Sequence, residues 1–262
     1  MNRIDAKFKK LKEKNEKAMI SFITAGDPDF ETTAELVYSM EKGGADIIEL
    51  GVPYSDPIAD GPTIQKSSAR SLKNGTTISR IMDCVKNIRL NTEVPLVYLV
   101  YYNSVFKYGI EKFISQCRNV GIDGIIIPDL PIEERKDILK IADKYEVALI
   151  PLIAPTSKER IKKIVSNASG FIYCVSTNGV TGARDKISTN MDGYMDVVSK
   201  YTDIPKAIGF GISSPEMAKE LKKYCDGIII GSAIVKKVDE IEDKKEMFEN
   251  VEGFVKDVKA VL

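Results

Sequence analysis

A carboxylate interrupts an otherwise aliphatic run in Asp46-Ile47-Ile48-Glu49-Leu50-Gly51. Burying Glu49 charged and unpaired costs several kcal/mol. Two readings meet that cost: a structural glutamate held by a nearby Lys or Arg, or a carboxyl kept for proton transfer. The next segment, Pro53-Tyr54-Ser55-Asp56-Pro57-Ile58-Ala59-Asp60-Gly61-Pro62, supplies two more acids on a backbone stiffened by proline. Alone, Asp56 or Asp60 reads as a turn-former. Beside Glu49, either completes a pair of carboxyls suited to general acid–base work.

A second group of residues suits an anion. Gly209-Phe210-Gly211-Ile212-Ser213 leads into one predicted helix, and Gly231-Ser232-Ala233 opens another. Helix N-termini approached through glycine present backbone N–H groups to a phosphate dianion; simple tight turns are the plainer reading. Asn178-Gly179-Val180-Thr181-Gly182-Ala183-Arg184 could close over a ligand, with Arg184 either a phosphate clamp or a solvated loop cation. Tyr173 lies in another apolar run, from which it could point toward the same site.

Two features narrow the chemistry. Histidine is absent from the whole sequence, which removes imidazole bases, Ser-His and Cys-His nucleophiles and histidine-bound metals. The four cysteines, at 84, 117, 174 and 225, show no Cys-x-x-Cys spacing. They read as reduced core thiols rather than a zinc or dithiol site.

The elements that must hold these residues follow a rhythm. Short β-branched runs occur at 19–24, 46–52, 96–102, 124–128, 148–153, 171–176, 206–211 and 227–230. They do not alternate cleanly with polar residues, as expected for parallel strands buried on both faces. Between them lie helical stripes such as Ala34, Val37 and Met40; Ile161, Ile164 and Val165; and Met217, Leu221 and Tyr224. Asp27-Pro28 reads as an N-cap followed by proline at the first helical position. Thr156-Ser157-Lys158-Glu159 and Ser213-Ser214-Pro215-Glu216 read as capping boxes. Eight strands alternating with helices predict an α/β chain folded as one (β/α)8 TIM barrel over 1–262, with a doubly wound sheet as the alternative. Ile4, Phe8 and Leu11 predict an extra N-terminal helix packed on the barrel's N-terminal end. Two connections, about 53–77 and 177–192, are too long for simple βα loops. On the face where barrels place their chemistry, such loops act as lids or clamps.

The chain has 262 residues, with Lys+Arg 38 exactly balanced by Asp+Glu 38. No global basic field attracts nucleic acid. Apolar runs such as 227–235 fall far short of the ~20 residues that span a bilayer. The first twenty residues lack a continuous apolar stretch, so neither a signal nor a transit peptide is expected. A cytoplasmic location is the resulting expectation.

Residues 49–65, Glu49-Leu50-Gly51-Val52-Pro53-Tyr54-Ser55-Asp56-Pro57-Ile58-Ala59-Asp60-Gly61-Pro62-Thr63-Ile64-Gln65, resemble the signature of the tryptophan synthase α-subunit family. The resemblance extends in order through Phe22-Ile23-Thr24-Ala25-Gly26-Asp27-Pro28, Gly179-Val180-Thr181-Gly182-Ala183, Gly209-Phe210-Gly211-Ile212-Ser213 and Gly231-Ser232-Ala233-Ile234-Val235. It implies retro-aldol cleavage of indole-3-glycerol phosphate to indole and glyceraldehyde 3-phosphate. It also implies a pyridoxal-phosphate-dependent β-subunit as partner in an α2β2 complex, and no cofactor in this chain. The family's paired acids fall on Glu49 and Asp60, its lid threonine on Thr181 and its pocket tyrosine on Tyr173. Its phosphate contacts fall on Gly182, Phe210, Gly211, Gly231 and Ser232. Its indole pocket falls on Phe22, Ile64, Leu99, Ile126 and Phe210. Thr177-Asn178 and Cys174-Val175 depart from the common family pattern near the lid.

Rival phosphate-binding barrels fit less well. Epimerases with histidine-bound metal need residues this sequence lacks, and Ile20-Ser21-Phe22 offers no catalytic cysteine on the first strand. A Schiff-base aldolase needs a lysine inside a strand, whereas Lys206 stands at the start of one. Two further alternatives are a free-standing lyase that releases indole without a partner and a catalytically weak regulatory subunit. Retention of both acids argues against the latter.

Overall fold

Pro151 divides one of the eight expected runs, so the sheet is built from nine strands. The computed structural model describes residues 2–131, 133–157, 160–176, 191–209 and 211–262. Its strands are β1 (Ala18–Thr24), β2 (Ile47–Gly51), β3 (Leu96–Leu99), β4 (Gly124–Ile126) and β5 (Ala148–Ile150), then β6 (Leu152–Ile153), β7 (Ile172–Val175), β8 (Lys206–Gly209) and β9 (Gly227–Ile230). All pairings are parallel, in the order β5-β4-β3-β2-β1-β9-β8-β7-β6. The two edge strands are consecutive in the chain, one on each side of Pro151. The proline has no N–H to donate, yet its carbonyl accepts the Tyr173 N–H at 2.9 Å. The sheet therefore comes nearly to closure as the expected barrel.

Alternation along the strands separates two apolar layers. Ile20, Ile47, Val97, Ile126, Ile150 and Phe171 fill the barrel interior. Their strand neighbours, such as Met19, Ile48, Leu96 and Ile125, pack outward against the helices. The helix Arg3–Glu13 contributes Ile4, Phe8 and Leu11 to the interior cluster, so the extra helix plugs the N-terminal end of the barrel as expected. Aspartates there tie neighbouring strands together: Asp46 accepts the Met19 N–H at 3.0 Å, and Asp123 accepts that of Leu96 at 2.9 Å. Lys206, the first residue of β8, donates its N–H to Asp226 at 2.9 Å, far from the opposite mouth.

Several local expectations change. Asp29, not Asp27, caps the helix Phe30–Lys42, accepting the Thr32 N–H at 2.7 Å. The run 96–102 ends its strand at Leu99, and Tyr102 begins the helix Tyr102–Tyr108. The connection 53–77 contains its own helix, Pro62–Lys73, whose buried face is Ile64, Ser67, Ser68 and Ser71. That face is mostly polar, so apolar periodicity gave no sign of it. Ser214 caps the helix Pro215–Leu221, accepting the Met217 N–H at 3.3 Å. Thr156 lies in a short 3₁₀ turn, Pro155–Ser157, and a helix follows at Ile161–Val165; Lys158 and Glu159 of that expected capping box lie outside the described residues. The four cysteines are free and buried, and burial pushes the Cys84 thiol up to about 11 and that of Cys225 to about 12. Among the described residues no helix is long and apolar enough to cross a membrane.

Candidate active site

Glu49 sits on β2 directly beside Phe22 of β1 and Val97 of β3. Its side chain shares their inward face and is only 1% exposed. No Lys or Arg holds it: among the described residues its Oε2 is buried with no hydrogen-bond partner. Burial, and then the charge of Asp60, raise its pKa to about 8. Both effects favour the protonated acid at neutral pH.

Asp60 is held over the barrel mouth by the turn preceding the helix Pro62–Lys73. The Tyr101 hydroxyl donates to Asp60 Oδ2 at 3.1 Å and accepts the Ala59 N–H at 3.1 Å. The Gln65 amide donates to the Asp60 carbonyl at 2.7 Å. Tyr54 stacks on Tyr101, with ring centroids 5.0 Å apart, which closes the loop onto the tyrosine. Burial raises the Asp60 pKa to about 6, opposed by the Tyr101 hydrogen bond that favours the carboxylate. Two carboxyls in one cavity are thus set apart: one neutral and one ionised near pH 7.

Between them lies a pocket enclosing about 580 Å³, its open mouth included. Phe22, Ile64, Leu99, Tyr173, Gly211, Gly231 and Ser232 line it with both acids. Tyr173 lines the same pocket as both carboxyls, and burial, then the charges of Glu49 and Asp60, push its phenol well above its ordinary pKa. Two glycines make room for the rings. A Cβ at Gly209 would lie 2.5 Å from the Tyr173 hydroxyl oxygen, and one at Gly51 would lie 2.6 Å from the Phe22 ring. At the polar end Gly231 precedes the helix Ser232–Glu240, and among the described residues no side chain caps that N-terminus. A helix N-terminus left so has backbone N–H groups free for an anion, and Gly231 and Ser232 line the pocket. The neighbouring helix after β8 is already capped by Ser214.

Ile126 differs from the other expected pocket residues. It pairs with Leu99 across β3 and β4 but is fully buried in the interior cluster and is not part of the pocket wall. Thr181, Gly182 and Phe210 lie outside the described residues, as do Thr177, Asn178 and Arg184. Wall residues not anticipated are Ala59, Pro128, Leu152, Ile212 and Ile229, together with Tyr101 behind Asp60. Pro128 follows β4, a position that marks it as a rim residue once the barrel is assumed, whereas Leu152 opens the short strand β6. Asp56 is exposed at the outer bend of the loop, where its carboxylate accepts the Ser55 hydroxyl at 2.5 Å. Among the described residues no cluster of three or more Cys, Asp or Glu is arranged to hold a metal ion.

A parallel (β/α)8 barrel with a buried acid pair and a helix N-terminus at its C-terminal mouth has the parts for acid–base chemistry on an anionic substrate. Comparison with known proteins narrows the class. The model of the tryptophan synthase alpha chain family matches residues 8–262. The tryptophan synthase alpha chain of Thermoanaerobacter sp. (strain X514) is 63% identical over 262 residues, covering the whole of both chains. That of Clostridium kluyveri is 58% identical over the same full length. The subunit alpha structure from Legionella pneumophila superposes with a TM-score of 0.89 at 31% identity, covering 100% of this chain and 98% of that one. The chain of the Pyrococcus furiosus tryptophan synthase a2b2 complex gives a TM-score of 0.85 at 36% identity, covering 93% of this chain and 98% of that one. The chain belongs to the tryptophan synthase alpha chain family. It is an enzyme of that family's reaction, the lyase cleavage of indole-3-glycerol phosphate in tryptophan biosynthesis.

Proposed function

We propose that Glu49 and Asp60 divide the work of that cleavage. Glu49 gives its proton to indole C3, and Asp60, as a carboxylate, accepts the indole N–H and stabilises the cationic ring. Glu49, now ionised, removes the proton of the glycerol hydroxyl adjacent to the ring. The carbon–carbon bond breaks, its electron pair returns to the ring, and indole and glyceraldehyde 3-phosphate are released. Glu49 ends protonated, ready for another turnover, and the scheme uses no cofactor in this chain. Phe22, Ile64 and Leu99 would flank the indole, with Ile126 supporting Leu99 from below. Tyr173 would orient the glycerol part. Gly211, Gly231 and Ser232 would take the phosphate, with Thr181, Gly182 and Phe210 assigned through the family resemblance alone.

The observation that carries this reading is the Glu49 oxygen left without a partner among the described residues, in a pocket it shares with Asp60. Indole release from indole-3-glycerol phosphate, measured for the natural chain and for Glu49→Gln, tests it. Near-normal turnover of the variant would refute the assignment.

The partner in this reading is a pyridoxal-phosphate-dependent β-subunit in an α2β2 complex, as in the P. furiosus relative. Ile58, on the Asp60 loop beside the exposed Asp56, is 73% exposed, an apolar side chain left open to a partner. The family match over 8–262 supports a single barrel domain. Four free thiols favour a reducing compartment, in keeping with a cytoplasmic enzyme.

A further inference from the structure

The helix Pro62–Lys73 docks on the loop after β1 through a polar stripe at helical spacing. Ser67 and Arg70 bind Asp27, Ser71 donates to the Ala25 carbonyl at 2.6 Å, and Asn74 just beyond the helix donates to the Pro28 carbonyl at 2.7 Å. Asp27 is 3% exposed and receives Arg70 in a fork, Nε to Oδ1 at 2.9 Å and an Nη to Oδ2 at 2.7 Å. The remaining Arg70 arm reaches Asp239, near the end of the helix Ser232–Glu240.

We propose that Arg70 is a positioning residue for the cleavage reaction, fixing the helix that follows Asp60 against the helix that begins at Ser232. The inference rests on the function proposed above. Both helices start at the pocket, where Ile64 and Val235 pack together with Phe22. An apolar contact there tolerates sliding, because dispersion and hydrophobic contacts have little directionality. The Arg70 fork does not, because a bidentate guanidinium–carboxylate pair has one geometry. Sliding of the first helix would carry Gln65 and the Asp60 carbonyl it holds. Sliding of the second would carry Ser232 and the uncapped N-terminus.

The test measures steady-state indole release together with calorimetric binding of glycerol 3-phosphate, whose affinity does not depend on turnover. Asp239→Asn removes the charge of the more exposed outer link alone, leaving a weaker neutral acceptor for the Arg70 arm. It should raise KM and the glycerol 3-phosphate Kd together by ~5-fold, with kcat within about twofold. Arg70→Lys keeps a charge for Asp27 but cannot bridge two carboxylates. It should add a fall in kcat of about tenfold while retaining a thermal midpoint near that of the natural chain. A folded Arg70→Lys with natural kcat, KM and Kd, or an Asp239→Asn with unchanged KM and Kd, overturns the proposal. If the natural chain releases no indole, the cleavage reading fails, and the Kd values alone then decide the role of Arg70.

Discussion

The Tyr101 hydroxyl donates to Asp60 Oδ2 at 3.1 Å, from the segment that follows β3, the strand paired with Glu49's own. The same oxygen accepts the Ala59 N–H, so one phenol fixes both the charge and the backbone of the loop that bears it. Tyr101→Phe keeps the stack on Tyr54 and removes both hydrogen bonds. A hydrogen bond to a charged group contributes about 1.5–3 kcal/mol, so kcat/KM should fall roughly 10–100-fold. Since that bond lowers the Asp60 pKa, its loss should also move the acidic limb of the pH profile upward. An unmoved limb would show that the tyrosine does not act on the Asp60 charge.

The two carboxyls define a working window. Glu49 keeps its proton up to about pH 8 and Asp60 loses its own near pH 6. The profile of kcat/KM should therefore be bell-shaped, with limbs near those values. A profile flat from pH 5 to 9 would contradict the assignment of acid to Glu49 and carboxylate to Asp60.

Removing the Glu49 charge should cost activity and increase stability. Glu49→Gln should lose about 10²–10⁴-fold in kcat while binding glycerol 3-phosphate normally. For stability, the unfolded carboxyl ionises near 4.5 and the folded one near 8. Between those values unfolding releases a proton, so the natural chain loses stability as pH rises through the window, and the loss levels off above it. Glu49→Gln should therefore raise the thermal midpoint at pH 8 and leave it unchanged at pH 4. Equal midpoints at pH 8 would mean that Glu49 has an ordinary pKa.

Ser232→Asp places a carboxylate at the uncapped helix N-terminus beside the pocket. It should raise KM for the phosphorylated substrate more than it lowers kcat, because the phosphate does not react. An unchanged KM would put the phosphate site elsewhere.

In the proposed reading the exposed outer bend of the Asp60 loop is where a partner would act on the pocket. Addition of a β-subunit should stimulate indole release at least ~10-fold, which requires only about 1.4 kcal/mol of coupling. Asp56→Lys should weaken that stimulation and leave the basal rate nearly intact. Full activity of the isolated chain, with no response to a β-subunit, would instead favour a free-standing lyase.

The sequence alone pointed to the barrel, to Glu49 and to the glycine turns, because each is written in local chemistry. It left Asp56 and Asp60 open as the second acid until the family resemblance chose Asp60. Strands buried on both faces must be continuously aliphatic, and a lone Glu49 in such a strand declares its own cost. Apolar periodicity likewise revealed the plug helix through Ile4, Phe8 and Leu11. What tertiary structure decided was every relationship between residues distant in sequence. Tyr101 meets Asp60 across 41 positions, and Arg70 meets Asp239 across 169. The helix Pro62–Lys73 buries serines, whose value depends on partners in another loop and not on hydropathy. Ile126 and Leu99 are both apolar strand residues, and only the closed barrel puts one below the pocket and the other on its wall. The order of the two acids, Glu49 neutral and Asp60 ionised, was equally invisible in the chain. It follows from how completely each is removed from water and which hydroxyl reaches it, and folding alone fixes those two quantities.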